Sequence, residues 1–126
     1  MQILKKVFAS VGKMIQVKNE DEIDKIAALS WSGPAYFFYM TEIIQKQAQK
    51  FGFTASEAEM IARETFIGSA KLLDQSWLPA HQLRKNVTSK WWTTQAALET
   101  MKKKWVDKGI QSGMVQAYKK AKKLNT

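Results

Sequence analysis

The residues best suited to chemistry lie in a hydroxyl-rich stretch between two predicted helices, Asn86 to Leu98, which reads NVTSKWWTTQAAL. Thr93 is placed to cap the helix that follows, with Thr88, Ser89 and Thr94 beside it. A helix start leaves backbone N–H groups unpaired and carries partial positive charge, so it attracts carboxylates and phosphates. The stretch predicts either an anion site or an ordinary capped helix start, and composition alone favours the ordinary start.

The composition limits the class of protein. The chain has 126 residues, a formal net charge of +9, one histidine and no cysteine. We expect one domain that buries roughly two-thirds of the unfolded chain's surface. The absence of cysteine excludes disulfides and thiolate metal sites, and a lone histidine argues against a transition-metal centre. No apolar run is long enough to span a bilayer, and the N-terminus lacks a signal peptide's apolar core. These features predict a cytoplasmic protein with no metal and no membrane contact.

Apolar spacing and capping signals predict an all-α fold for most of the chain. Residues 3 to 11 predict a helix and residues 13 to 18 a short strand, which has no partner in a helical chain. The helices that follow are predicted to begin at Asn19, Pro34, Thr54, Pro79 and Thr93, and a break near Lys104-Trp105 precedes the last one. The one candidate domain boundary lies between Lys18 and Asn19.

Two of these helices have surfaces that need a partner. The helix from Pro34 to Phe51 is apolar on more than one side, because Phe38 and Tyr39 lie off its main stripe; this implies either a central core position or a second chain. The last helix has a pairing seam, formed by Ile110, Met114, Ala117, Ala121 and Leu124. Residues 100 to 126 also hold eight lysines and one acid, Asp107. A solvated helix face is the favoured interpretation of these lysines, and a nucleic-acid surface is the alternative.

Three motifs give the chain a family resemblance. They are SWSGPAY at 30–36, GSAKLLDQS at 68–76 and LRKNVTSKWWTTQAALE at 83–99. In order and spacing they resemble the C-terminal domain of pyrroline-5-carboxylate reductase, whose own forms are close to SGSGPAY, GAAKLL and LR..VTSPGGTT.AAL. The resemblance covers residues 19 to 124. It implies a helical dimerisation domain of the 6-phosphogluconate dehydrogenase C-terminal type over residues 19–126, with residues 1–18 as the last helix and strand of a nucleotide-binding Rossmann domain.

The resemblance also implies a function and a site. The family reduces 1-pyrroline-5-carboxylate to proline with NAD(P)H, and its helical domain forms a homodimer with interleaved helices; a higher oligomer is left open. The substrate carboxylate, that of pyrroline-5-carboxylate or proline, would bind the loop Ser89, Lys90, Trp91, Trp92 and Thr93. Thr94 would be the catalytic-site hydroxyl, hydrogen-bonded near the ring nitrogen. No glycine-rich nucleotide fingerprint occurs in the sequence, so we expect this chain alone to bind no cofactor and to be inactive.

The departures from the family pattern are systematic. All five tryptophans, Trp31, Trp77, Trp91, Trp92 and Trp105, fall where the resemblance has glycine. An indole there would crowd turns that need close backbone approach. One hypothesis is that the source organism reads UGA as glycine and that the codon is written here as tryptophan. The rival accounts are mutation after loss of function and deliberate engineering. Lys90 in place of proline is a separate change that no such recoding explains.

Two further functions are kept as alternatives. The chain is either the dimerisation and substrate-loop domain of a reductase or a non-catalytic helical dimer that associates with a full-length reductase and modulates it. A basic helical nucleic-acid binder, resting on the C-terminal lysines, is the least favoured of the three.

Overall fold

The computed structural model describes residues 13 to 88 and 93 to 124, and throughout these ranges the regular structure is helical. The elements are α1 (Glu20–Ile26), a π-helical segment (Ala27–Trp31), α2 (Gly33–Lys50), α3 (Ala55–Gln75), α4 (Ala80–Asn86), α5 (Thr93–Lys103) and α6 (Val106–Leu124). The predicted all-α fold is therefore confirmed, and the predicted starts of the helices agree with the structure to within one or two residues.

Local capping chemistry explains where two of the helices begin. The Asn19 side chain accepts a hydrogen bond from the Glu22 N–H at 3.0 Å, ahead of an acidic first turn in α1. At the start of α3, the Thr54 hydroxyl accepts from the Glu57 N–H, and the Glu57 carboxylate accepts from the Thr54 N–H at 2.8 Å. Hydrogen bonds from the Thr54 hydroxyl and backbone lower the pKa of Glu57. Both predicted caps are confirmed.

The prediction of a short strand over residues 13 to 18 is wrong. Residues 13 to 17 have no regular secondary structure, and Lys18 lies in a bend whose N–H donates to the Glu22 carboxylate at 2.7 Å. A strand is stabilised by the ladder of a neighbouring strand, and the described ranges contain none. The helix predicted over residues 3 to 11 lies outside the described residues. The assignment of residues 1–18 to a Rossmann remnant stays a prediction.

Helices α2 and α3 form the largest helix pair. The chain reverses at Gly52, whose φ of 98° is easily reached only by glycine. Three small residues are buried on these two helices, Ala48 on α2 and Ala58 and Ala62 on α3. The rings of Phe37 and Phe66 meet at a centroid distance of 5.7 Å.

Helix α6 crosses back onto the start of the domain, where it packs against the π-helical segment and α1. The middle of its predicted seam (Met114, Ala117 and Ala121) is partly buried, whereas Ile110 and Leu124 at the ends are exposed. Tyr118 donates a hydrogen bond from its hydroxyl to the Asp21 carboxylate, and Lys122 lies 3.3 Å from the same group. These contacts join the two ends of the domain.

The interior of this arrangement is small. The buried apolar residues of the described ranges are all alanines, and the chain exposes 11142 Å². A compact monomer of 14.4 kDa would expose roughly 6,800 Å². The chain buries only about half of the roughly 21,000 Å² of its unfolded form, so the predicted two-thirds is wrong. The reason is that large apolar side chains face outwards, and they include Phe37, Phe38, Tyr39, Ile43 and Ile44 on α2, Met60, Leu72 and Leu73 on α3, and Ile110, Val115 and Leu124 on α6.

The apolar sides of α2 were predicted to reflect either a central core position or contact with a second chain. In the isolated chain α2 does not occupy a central core position. Phe38 and Tyr39 are 64% and 63% exposed. Apolar surface on this scale marks an interaction surface.

Candidate functional site

The predicted site residues lie at the junction of α4 and α5. Thr93 and Thr94 are the first two residues of α5; Thr93 is exposed and Thr94 is partly buried. Thr93 is the first described residue of the helix and the residues before it lie outside the described ranges, so its assignment as the cap stays a prediction. Ser89, Lys90, Trp91 and Trp92 lie outside the described residues, and their assignment to the substrate loop stays a prediction.

The chain is held firmly on the α4 side of this junction. After α4 ends at Asn86, the Val87 N–H donates to the Leu83 carbonyl at 3.2 Å. The Thr88 hydroxyl donates to the Arg84 carbonyl at 2.6 Å, and the Thr88 N–H donates to the Lys85 carbonyl at 3.1 Å. The backbone therefore remains attached to α4 up to the residue before the predicted loop.

Charge at the junction favours an anion. Helix α5 has no acidic residue in its first turn, whereas α1 has three and α3 has Glu57. The positive end of its dipole is thus left without a carboxylate of its own in that turn. The last turn of α4, which precedes the loop, carries Arg84 and Lys85. This arrangement is suited to a carboxylate or phosphate.

A cleft of about 720 Å³ extends from the junction between α4, α5 and α6. His81, Arg84 and Lys85 line it from one face of α4, and Thr88, which follows the helix, lines it beside them. Its polar and charged lining also includes Gln95, Glu99, Lys102 and Asp107, and its apolar lining is Leu98, Met101, Val106 and Ile110. Within that lining, the Gln95 amide donates to the Glu99 carboxylate at 2.9 Å.

Sequence reasoning identified the threonines at the start of α5 but not this cleft. The signal in the sequence was the spacing of His81, Arg84 and Lys85 on one face of a short helix, with Thr88 just after it. That pattern alone could not show that α5 and α6 close the other sides.

A search of the described helices finds none with the length and apolar content needed to cross a bilayer.

Comparison with known proteins identifies a family for this arrangement. Residues 20–124 match the family described as pyrroline-5-carboxylate reductase dimerisation. The pyrroline-5-carboxylate reductase of Staphylococcus aureus (strain COL) is 39% identical over 90 residues, which are 71% of this chain and 33% of that protein. The chain thus spans about a third of the length of this curated relative.

Solved structures agree with the family match. A pyrroline-5-carboxylate reductase from Coxiella burnetii superimposes with a TM-score of 0.87 at 34% identity, covering 98% of this chain and 46% of that one. The Plasmodium falciparum pyrroline carboxylate reductase, solved with NADP bound, has the same fold, with a TM-score of 0.83 at 24% identity over 99% of this chain and 47% of that one.

Proposed function

The chain belongs to the pyrroline-5-carboxylate reductase dimerisation family, and we propose that it supplies the dimer interface and the substrate-carboxylate site of such a reductase. The observation that carries the proposal is the outward-facing apolar surface of α2, which a second copy with interleaved helices would cover. A symmetric homodimer would bury these aromatic side chains and supply the missing interior.

The substrate site in this proposal is the start of α5. Ser89 and backbone N–H groups through Thr93 would hold the carboxylate of pyrroline-5-carboxylate, and the Thr94 hydroxyl would hydrogen-bond near the ring nitrogen. The uncompensated dipole of α5 and the cations of α4 support this assignment. Hydride would come from NAD(P)H to the carbon of the C=N bond, a proton would add to nitrogen, and the helical domain would position the acceptor.

The cofactor is expected to be held elsewhere. The sequence contains no glycine-rich dinucleotide fingerprint, and the family's nucleotide contacts belong to a Rossmann domain. We therefore expect no reduction of pyrroline-5-carboxylate when this chain alone is mixed with NADPH. Turnover by the chain alone would contradict this part of the proposal.

Ligand binding tests the site without requiring turnover. L-Proline would be titrated into isotope-labelled chain and followed by NMR, with Trp91→Gly/Trp92→Gly as the background that opens the predicted loop. Thr94→Ala should weaken binding about fivefold to tenfold through loss of one hydrogen bond. Thr100→Ala is the matched control, because its hydroxyl donates to the Ala96 carbonyl within α5 at 2.8 Å.

Equal binding by Thr94→Ala and its parent, or no L-proline binding in that background, would contradict the substrate-site proposal. A chain that binds no L-proline but alters the activity of a full-length reductase would instead support the non-catalytic modulator.

A further inference from the structure

One residue has a backbone conformation that its side chain does not favour. Trp105 lies between α5 and α6 with φ of 58°, in the left-handed region, and among the described residues it is the only non-glycine residue with positive φ. The Cβ atom of an L-residue crowds the backbone in that region, which is why glycine is the usual occupant.

The turn at Trp105 repeats a turn elsewhere in the chain that uses glycine. At the end of α2, the Gly52 N–H donates to the Gln49 carbonyl at 3.0 Å; at the end of α5, the Trp105 N–H donates to the Lys102 carbonyl at 3.1 Å. Both acceptors lie three residues before the donor, and both donors have positive φ. The backbone thus forms the same kind of helix ending twice, once with glycine and once with tryptophan.

The other described tryptophans also lie at the ends of helical elements and face outwards. Trp31 is the last residue of the π-helical segment and is 73% exposed, and Trp77, between α3 and α4, is 102% exposed. Trp105 is 60% exposed, with its ring 3.7 Å from the Lys108 ammonium. None of the three indoles therefore contributes to the interior of the isolated chain.

We propose that the native chain carries glycine at positions 31, 77, 91, 92 and 105, because the source organism reads as glycine a codon written here as tryptophan. The backbone at 105 requires a residue that tolerates positive φ, and no described indole contributes to the interior. Positions 91 and 92 lie outside the described residues. Glycine at these two positions is inferred from the same proposed reading of the codon.

This inference adds a consequence for the predicted loop and does not rest on the proposed function. Glycine at 91 and 92 would let a ligand approach the backbone N–H groups that an indole side chain would crowd. Residues 1–126 of the native protein would then contain no tryptophan, since these five positions account for every tryptophan in the sequence.

The test is intact mass and peptide sequencing of the protein purified from its source organism. We expect glycine in the peptides that cover all five positions, and a mass over residues 1–126 that is lower by five tryptophan-to-glycine differences than the tryptophan-containing sequence gives. Neither measurement depends on whether the chain binds proline.

Tryptophan at any of the five positions in the native protein would overturn the proposal that one codon is read as glycine at all of them. UGG codons at these positions would do the same and would leave mutation or engineering as the origin. Recombinant protein made with the standard code serves as the reference, because it carries all five indoles.

Discussion

At the scale of single residues, Trp105 shows most clearly where the sequence and the backbone disagree. A non-glycine residue in the left-handed region costs about 1–2 kcal/mol. The cation–π contact with Lys108 at an exposed site returns about 0.5–1 kcal/mol. The penalty exceeds the gain, so the indole is a net cost to the folded chain.

Trp105→Gly should therefore stabilise the recombinant protein, by up to about 1.5 kcal/mol in the free energy of unfolding. Trp105→Ala is the matched control, because it removes the indole but keeps a Cβ atom at positive φ. It should be less stable than the parent by about 0.5–1 kcal/mol through loss of the cation–π contact. Urea unfolding at fixed protein concentration measures both. A glycine variant less stable than the alanine variant would show that the turn imposes no strain.

What sequence reasoning could find at this scale was local. Asn19 and Thr54 were identified as caps because the signal and its effect lie within four residues of each other. The positive φ at Trp105 could not be seen in the residue type; only the resemblance marked that position. The cleft beside Thr88 and Gln95 was missed because its walls come from three helices.

At the scale of elements, a cluster around Asp21 connects α1 to α6. Lys25 pairs with the Asp21 carboxylate at 2.6 Å, Tyr118 donates to it, and Lys122 lies 3.3 Å away. Hydrogen bonds from Lys25 first, then Tyr118 and Lys122, lower the pKa of Asp21 well below its ordinary value of 3.8. No sequence pattern predicted this link, because Asp21 and Tyr118 are 97 positions apart.

The pH dependence of this link follows from the lowered pKa. The Asp21 contribution to stability is present above the ordinary value of 3.8 and is lost as the pH falls through the lower folded-state pKa. Asp21→Asn should therefore be less stable than the parent at neutral pH, and the difference should shrink as the pH is lowered below that value. Urea unfolding at neutral and acid pH measures this.

Glu20→Gln is the control for the Asp21 variant, because it removes a carboxylate from the same exposed first turn of α1. Tyr118→Phe should show a smaller loss than Asp21→Asn, since it removes one of three partners. If Glu20→Gln matched Asp21→Asn at every pH, the effect would belong to the helix dipole rather than to the link with α6.

At the scale of the whole molecule, the fold is a set of helix pairs around a small alanine-lined interior. The sequence predicted the helices and the surplus apolar face of α2, since both are properties of local spacing. It overestimated the buried area, because the size rule assumes that a chain of this length covers its own apolar side chains. Phe38 and Tyr39 show that this chain does not.

An aromatic side chain on the apolar face of α2 should carry much of the dimer's stability. Phe38→Asp should weaken association by at least about 2 kcal/mol, or roughly thirtyfold in Kd. Gln49→Asp introduces the same charge at an exposed polar position of the same helix and should leave the dimer intact. Dilution series followed by sedimentation velocity compare the two variants. If the Phe38→Asp and Gln49→Asp variants associated equally well, the interface would not include Phe38.

The central claim is that the outward-facing apolar surface of α2 and α3 is covered by a second copy of the chain. Sedimentation equilibrium of the purified chain at micromolar concentration tests it most directly. We predict a solution mass of twice 14.4 kDa. A mass of 14.4 kDa at that concentration would contradict the account.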